Sequence, residues 1–434
     1  MSKMNILFLT VTRIENIESR GIYTDLLRCF VKNGHKVHIV CPTERRFGKE
    51  TQLIENSNHS ILKVKTLNIQ KTNIVEKGIG TILLEYQFEK AINKYYRDIK
   101  FDLVLYSTPP ITLTRIIDKI KKRDGARTYL LLKDIFPQNA VDIGMMSKTG
   151  LLYKSFRKKE RKLYHLSDFI GCMSPANVEF VLKQNPEIDA DTVEVCPNSV
   201  ELETELPISD PIKSEDTISE TITSETIASE QSEFSKTVLK EKYGIPADST
   251  VFIYGGNLGK PQGLDFLLNV LESNRNKTDR YFIVVGSGTE YGNIAKWFED
   301  NKPNNAQLIS ALPKQEYDVL VRWSDVGLIF LDPRFTIPNY PSRLLSYLEY
   351  KMPVLMATDV NTDIGSIAQE NGYGLWCENG DLEKFNSLLD TLAGDSELRT
   401  QMGAVGYSFL EDNYTVEKSY GIIMGRVSHC PKQR

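Results

Sequence analysis

Residues 254–264 read YGGNLGKPQGL, four glycines, two amides and a lysine set between the apolar runs 250–253 and 266–271. The pattern predicts a strand, a glycine-rich turn and a helix. Gly255, Gly256 and Gly259 let the backbone approach a ligand closely and take positive φ. The start of the following helix offers free N–H groups and the positive end of its dipole, which together suit phosphate. A glycine-rich turn that holds nothing fits the same letters, so the rest of the chain has to decide.

Outward from this stretch the same alternation recurs. Apolar, β-branched runs at 250–254, 281–285, 307–309, 326–331, 354–357 and 375–377 are separated by helical patterns, and helices at 382–392, 397–410 and 416–427 close the chain. The first half shows runs at 6–11, 37–41, 103–106, 128–132, 169–173 and 193–196, with helical patterns at 23–31, 82–99, 113–122 and 176–183 between them. Strand–helix alternation predicts an α/β fold of parallel sheets covered on both faces. Two Rossmann-like domains facing across a cleft account for both halves. In such sheets ligands lie beyond the carboxyl ends of the strands, so loops 12–21, 107–111 and 133–144 are the ones to examine.

The domains are expected at 1–200 and 237–415, with 416–434 a helix that can cross back to the first domain. Residues 201–236 differ in composition, with ten acidic residues against two lysines and an approximate S-E-T-I repeat, and read as a disordered acidic insertion or linker.

The 434 residues are 41% hydrophobic and 25% charged, the composition of a globular protein. No run reaches the ~18 apolar residues of a membrane span. Six scattered cysteines without a C-x-x-C pair predict a reduced, cytoplasmic chain. A net charge of −4 argues against a general nucleic-acid binder, yet residues 1–200 carry 32 Lys+Arg against 22 Asp+Glu and are basic. Within them KSFRKKERK, 154–162, which contains Phe156 and is flanked by Leu151, Leu152, Tyr153, Leu163 and Tyr164, predicts a helix with an apolar side rimmed by cations. It is either a solvated helix face or a dock for anionic lipid headgroups.

Several ordered motifs carry a family resemblance. GGNLGKPQG (255–263), GSGT (286–289), LPKQEY (312–317), PSRLLSYLEYKMPV (341–354) and GYGLWCENGD (372–381) resemble successive landmarks of the retaining family-4 glycosyltransferases, which have the GT-B architecture. STPPIT (107–112), KDIFPQNAVDIGM (133–145), MSP (173–175) and CPNSV (196–200) resemble the branch that builds capsule and lipopolysaccharide repeat units. The resemblance spans nearly the whole chain apart from the acidic insertion.

It implies a nucleotide diphosphate sugar, UDP-linked and N-acetylated, held mainly by the C-terminal domain, and a lipid-linked or growing glycan as acceptor. No metal or cofactor is implied. The implied donor site takes Gly21, Gly256, Asn257, Gly259, Gln262, Gly286, Gly288, Asn339, Ser342, Ser346 and Glu349, with Lys260 and Arg343 as the cations that meet charge building on the leaving diphosphate. Arg343 is alternatively a surface salt-bridge residue. Asp134 and Asn139 are placed for acceptor hydroxyls, Asp134 also as a catalytic group; helix capping is the competing reading for both. Relatives carry glutamates where this chain has Ser346 and Pro338, and Glu349 lies one helical turn from the expected ribose position. Asp189-Ala190-Asp191 imitates a metal motif of another architecture and is discounted, and His35 and His38 read as structural. The chain is thus expected to transfer a sugar with retention, peripherally at the inner face of the cell membrane. A non-catalytic nucleotide-sugar-binding subunit and a nucleotide-sugar epimerase of the same architecture are the alternatives.

Overall fold

The computed structural model describes residues 3–69, 72, 74–202 and 236–429; the acidic stretch 203–235 and Cys430 lie outside the described residues. The first sheet contains β1 (Asn5–Leu9), β2 (Lys36–Glu44), β3 (Gln52–Glu55), β4 (His59–Thr66), β5 (Leu103–Ser107), β6 (Arg127–Leu132), β7 (Phe169–Cys172) and β8 (Val193–Val195). Their order is β3-β4-β2-β1-β5-β6-β7-β8, and every pairing is parallel except β3 with β4. The second sheet contains β9 (Thr250–Asn257), β10 (Arg280–Ser287), β11 (Ala306–Ser310), β12 (Val326–Phe330), β13 (Val354–Thr358) and β14 (Gly374–Glu378), all parallel, in the order β11-β10-β9-β12-β13-β14. The expected pair of Rossmann-like domains is therefore observed.

Parallel strands buried on both faces need apolar side chains at every position, which is why they read as unbroken runs. In β1 the two-residue period sends Ile6 and Phe8 to one core and Leu7 and Leu9 to the other. The first core holds helix Ile22–Lys32; the second holds helices Ile74–Tyr95, Thr114–Asp124 and Leu151–Leu166. The edge pair β3–β4 is absent from the apolar-run reading because Lys63 and Lys65 interrupt it. Helix Ile74–Tyr95 begins eight residues before the expected start at residue 82, through two glycines that weaken the helical signal. His38 lies in β2 with Nδ1 2.9 Å from Ser60 Oγ, and burial pulls its pKa down to about 4.

Two later parts of the chain carry apolar side chains into the cores of the N-terminal domain. Helix Val416–His429 packs on Ile22–Lys32, with Val416, Ile423, Met424 and Val427 in the same core as Leu26, Leu27 and Phe30. Tyr420 Oη lies 2.9 Å from His35 Nε2, and Arg426 pairs with Glu194 at 2.8 Å. The second part is the loop 331–342 after β12. It reaches across so that Phe335 and Ile337, 2% and 0% exposed, complete the core of the N-terminal domain. Beside them the Thr336 N–H donates to Asp142 at 2.8 Å, and Asn177 Nδ2 donates to the Pro338 carbonyl at 2.8 Å.

Candidate functional site

Strand order reverses between β1 and β5 in the first sheet and between β9 and β12 in the second. Loops diverge at such points and leave a crevice beyond the strand ends. Here the two crevices face one another and enclose a cavity of about 780 Å³. Its N-terminal wall includes Arg20, Gly21, Lys133, Asp134 and Asn139; its C-terminal wall includes Gly255, Gly256, Asn257, Pro261 and Gln262, and Asn339 to Arg343. Ser346 and Glu349 continue that wall along helix Arg343–Glu349. A smaller cavity of about 380 Å³ adjoins it through Gly256, Asn257 and Tyr317 and is lined further by Gly286, Ser287, Ala311 and Leu312.

The corner between β9 and helix Arg343–Glu349 is built around a cation. The Arg343 guanidinium stacks 4.4 Å from the Tyr254 ring centroid. Its Nη1 is buried without a hydrogen-bond partner, and among the described residues no carboxylate pairs with it. Gly256 stands beside it with φ 119°, and a Cβ there would come within 3.6 Å of Arg343 Nη2. A left-handed glycine thus keeps the guanidinium approachable. Surface salt bridging, the alternative reading for Arg343, is not what the structure places here.

The remaining glycines have another task. A Cβ on Gly286 would overlap the Gly256 carbonyl, and one on Gly288 would overlap the Leu258 carbonyl, so both let β10 close tightly on the β9 loop. Gly259 is buried beside Asn257, whose Nδ2 donates to Gln262 Oε1 at 3.1 Å; the Gly259 N–H donates to the same oxygen at 3.3 Å. Asn257 and Gln262 therefore brace the turn as well as line the cavity. Lys260 is exposed on the 3₁₀ turn Lys260–Gln262 and is not among the lining residues. That turn separates the cavity from helix Leu264–Asn274, whose first residues pack near Asp332 and Asn379 through Gly263. The lining from this loop ends at Gln262, and no residue of helix Leu264–Asn274 is among the lining residues.

On the opposite wall Asp134 follows β6, and Asn139 Nδ2 donates to both of its carboxylate oxygens at 2.8 and 2.9 Å. Burial raises the Asp134 pKa to about 6 despite those bonds. The cap of helix Gln138–Asp142 is Pro137, so neither residue caps it, and Asn139 Oδ1 is left buried without a partner. Lys133, unassigned by sequence, also lines the cavity. Its Nζ donates to the Cys196 carbonyl at 3.2 Å, and burial pulls its pKa down to about 8.

Glu349 is nearly buried, and Arg20 of the other domain donates to it at 2.6 Å. Gly21 caps helix Ile22–Lys32 and donates its N–H to Asp25 at 2.9 Å. Ser342 and Ser346 line the cavity, as does Asn339, whose Nδ2 is buried without a partner. Among the ionised lining groups, Asp25 is answered by Arg28, Glu349 by Arg20 and Asp318 by Lys314. Arg343 and Lys133 then stand against Asp134 alone, with burial disfavouring the charge of both Lys133 and Asp134. The cavity suits an anion.

Among the described residues no group of three His, Cys, Asp or Glu could hold a metal, and no helix is long and apolar enough to cross a membrane. Asp189 accepts the Asp191 N–H at 3.1 Å in a 3₁₀ turn, and neither residue lines the cavity. The five described cysteines are buried and free.

Comparison with known proteins places this geometry. Residues 235–409 match the family "Glycosyl transferases group 1". The chain is 22% identical over 345 residues to the probable glycosyltransferase WbjE of Pseudomonas aeruginosa, covering 80% of this chain and 78% of that one. It is 21% identical over 277 residues to the putative colanic acid biosynthesis glycosyl transferase WcaI of Escherichia coli K12, covering 62% and 60%. The solved structure of Anabaena Alr3699/HepE in complex with UDP-glucose superposes with a TM-score of 0.65 at 12% identity, over 98% of this chain and all of that one. The chain is therefore a two-domain α/β protein of GT-B architecture, and its C-terminal half is similar to the Glycosyl transferases group 1 family over residues 235–409.

Proposed function

We propose that the chain is a retaining glycosyltransferase that moves a sugar from a UDP-linked, N-acetylated hexose donor to a lipid-linked or growing glycan acceptor in bacterial surface polysaccharide synthesis. The observation that carries the reading is Arg343, a cation with a buried, unpartnered N–H held over Tyr254 beside the left-handed Gly256. A diphosphate leaving group needs such a donor, because negative charge grows on it as the glycosidic bond breaks. The name of WbjE supports sugar transfer, that of WcaI sugar transfer in colanic acid biosynthesis, and the HepE complex supports a UDP-sugar.

In this reading the diphosphate lies against the corner that Gly256 and Arg343 form together, with Lys260 closing over it from the turn. The nucleoside extends toward Gly286, Gly288 and Leu312, and Asn339, Ser342 and Ser346 meet the ribose and phosphates. Glu349 acts at one remove, by holding Arg20. Asp134 and Asn139 bind the acceptor hydroxyl. Retention follows if the leaving phosphate oxygen takes the acceptor proton on the same face, so that the protein positions both substrates and meets charge without a metal. The epimerase alternative calls for a histidine in the cleft, and none is among the described lining residues.

Titration with UDP-, GDP- and dTDP-sugars, read by calorimetry and by slow donor hydrolysis, tests the proposal. The expected result is a UDP-sugar that binds and is cleaved, with both signals lost in Arg343→Ala. Binding without cleavage, even with membrane extract as acceptor, selects the non-catalytic subunit. No binding to any donor overturns the diphosphate site.

A further inference from the structure

Helices Ile74–Tyr95, Thr114–Asp124 and Leu151–Leu166 lie side by side over one face of the first sheet and share its core. Each follows a strand carboxyl end, so their N-termini all point to the edge where the cavity opens. The first of them is apolar on two sides. Leu84, Phe88, Ala91 and Ile92 face the core, while Ile79, Ile82, Leu83 and Tyr86, at spacings of three and four, form an outward stripe. Ile82 is 67% and Tyr86 58% exposed. Further along that side come the exposed Lys90 and Lys94.

Helix Leu151–Leu166 repeats the order. Leu151 and Leu152 lead, 85% and 59% exposed, and the exposed Lys154, Lys158, Arg161 and Lys162 follow. The middle helix presents Arg115, Lys119 and Lys122, and Glu89 of its neighbour is held by Arg115 and Lys119. In both outer helices apolar residues come first and cations behind. A scattering of exposed hydrophobics has no such order; a bilayer has it, with acyl chains beyond anionic headgroups.

We propose that this face seats on an anionic lipid bilayer, with Ile79, Ile82, Leu83, Tyr86, Leu151 and Leu152 entering the acyl boundary and the lysines behind them meeting headgroups. Tyr86 is the residue type that favours the interface. Met145, 68% exposed, also lines the cavity and joins the apolar edge to its mouth. The seating would present a lipid-borne acceptor to Asp134 without withdrawing its lipid from the membrane. The inference deepens the proposed lipid-linked acceptor but stands on the N-terminal face alone.

Flotation of the full chain with phosphatidylcholine vesicles, with and without phosphatidylglycerol and with no donor present, tests it. The chain is expected to float with the anionic vesicles and to be released by salt. Ile82→Ser with Leu83→Ser, Leu151→Ser with Leu152→Ser, and Lys154→Glu with Lys158→Glu should each lower partitioning about ten-fold. Circular dichroism and donor binding should not change in these variants. Absence of flotation, or flotation that the serine pairs leave intact, overturns the proposal. A wild-type dimer that does not float and that Ile82→Ser with Leu83→Ser dissociates overturns it in favour of a second copy on this face. Failure of the donor reading would show separately, as no binding of any nucleotide sugar.

Discussion

At the scale of single residues the cleft rests on two groups whose surroundings fix their state. Arg343→Ala should reduce donor hydrolysis by about 10²- to 10³-fold while leaving the fold intact, since a charge-assisted donor to the leaving group is lost. Arg343→Lys should recover part of it, because a lysine cannot reproduce the fork or the stacking on Tyr254. Asp134 makes a pH prediction. Its pKa is raised by burial to about 6, so a step that needs its carboxylate should gain rate as pH rises through that value. Asn139→Ala should move this limb to higher pH and Asp134→Asn should abolish it, as read from rate profiles of the variants. For stability the sign is opposite: the fold favours protonated Asp134, and its stabilising contribution fades as pH climbs from the ordinary carboxylate range to about 6. Both residues were legible in sequence because each stands in a short local motif. The Arg20–Glu349 pair was not, since its members lie 329 positions apart and meet only when the domains do. Lys133 carries a fainter signal, a charge closing the apolar run of β6.

At the scale of elements the glycines separate into those that admit a ligand and those that admit a neighbouring strand. Gly286→Ala puts a methyl into the Gly256 carbonyl, and a cost of about 1–3 kcal/mol is expected, read as a lower urea midpoint. Donor binding should fall with it, because β9 and β10 carry the loops that line the site. Sequence marks these glycines but not their two tasks, which depend on what stands opposite each one. The strands of both sheet centres were readable because burial on two faces demands continuous apolar runs. The edge pair β3–β4 escapes that rule, since Lys63 and Lys65 stand within β4. Likewise the 3₁₀ turn at Lys260–Gln262, which sets the helix start back from the cavity, has no apolar period to announce it.

At the scale of the molecule the domains are joined by more than the segments that link them in sequence. Ile337→Ala should cost about 2–5 kcal/mol, because it opens a hole in a core that is not its own domain's. Differential scanning calorimetry should show one transition for the wild type and a widened or divided one for this variant. The sequence reading foresaw two domains and gave Asn339 and Ser342 of this loop to the donor site, but assigned Phe335 and Ile337 no place in the N-terminal core, since a loop's packing partners cannot be read from its own letters.

That loop and the last helix change what counts as a half of this protein. Phe335 and Ile337, with Val416, Ile423, Met424 and Val427, belong to the N-terminal core although the chain reaches them late. Recombination between relatives to exchange N-terminal domains, with a single crossover between residues 202 and 236, would therefore transplant a domain with pieces of its interior missing. A working chimera would have to carry three separate segments together, 3–202, 335–337 and 416–429. The N-terminal half of this protein is inherited as a discontinuous unit.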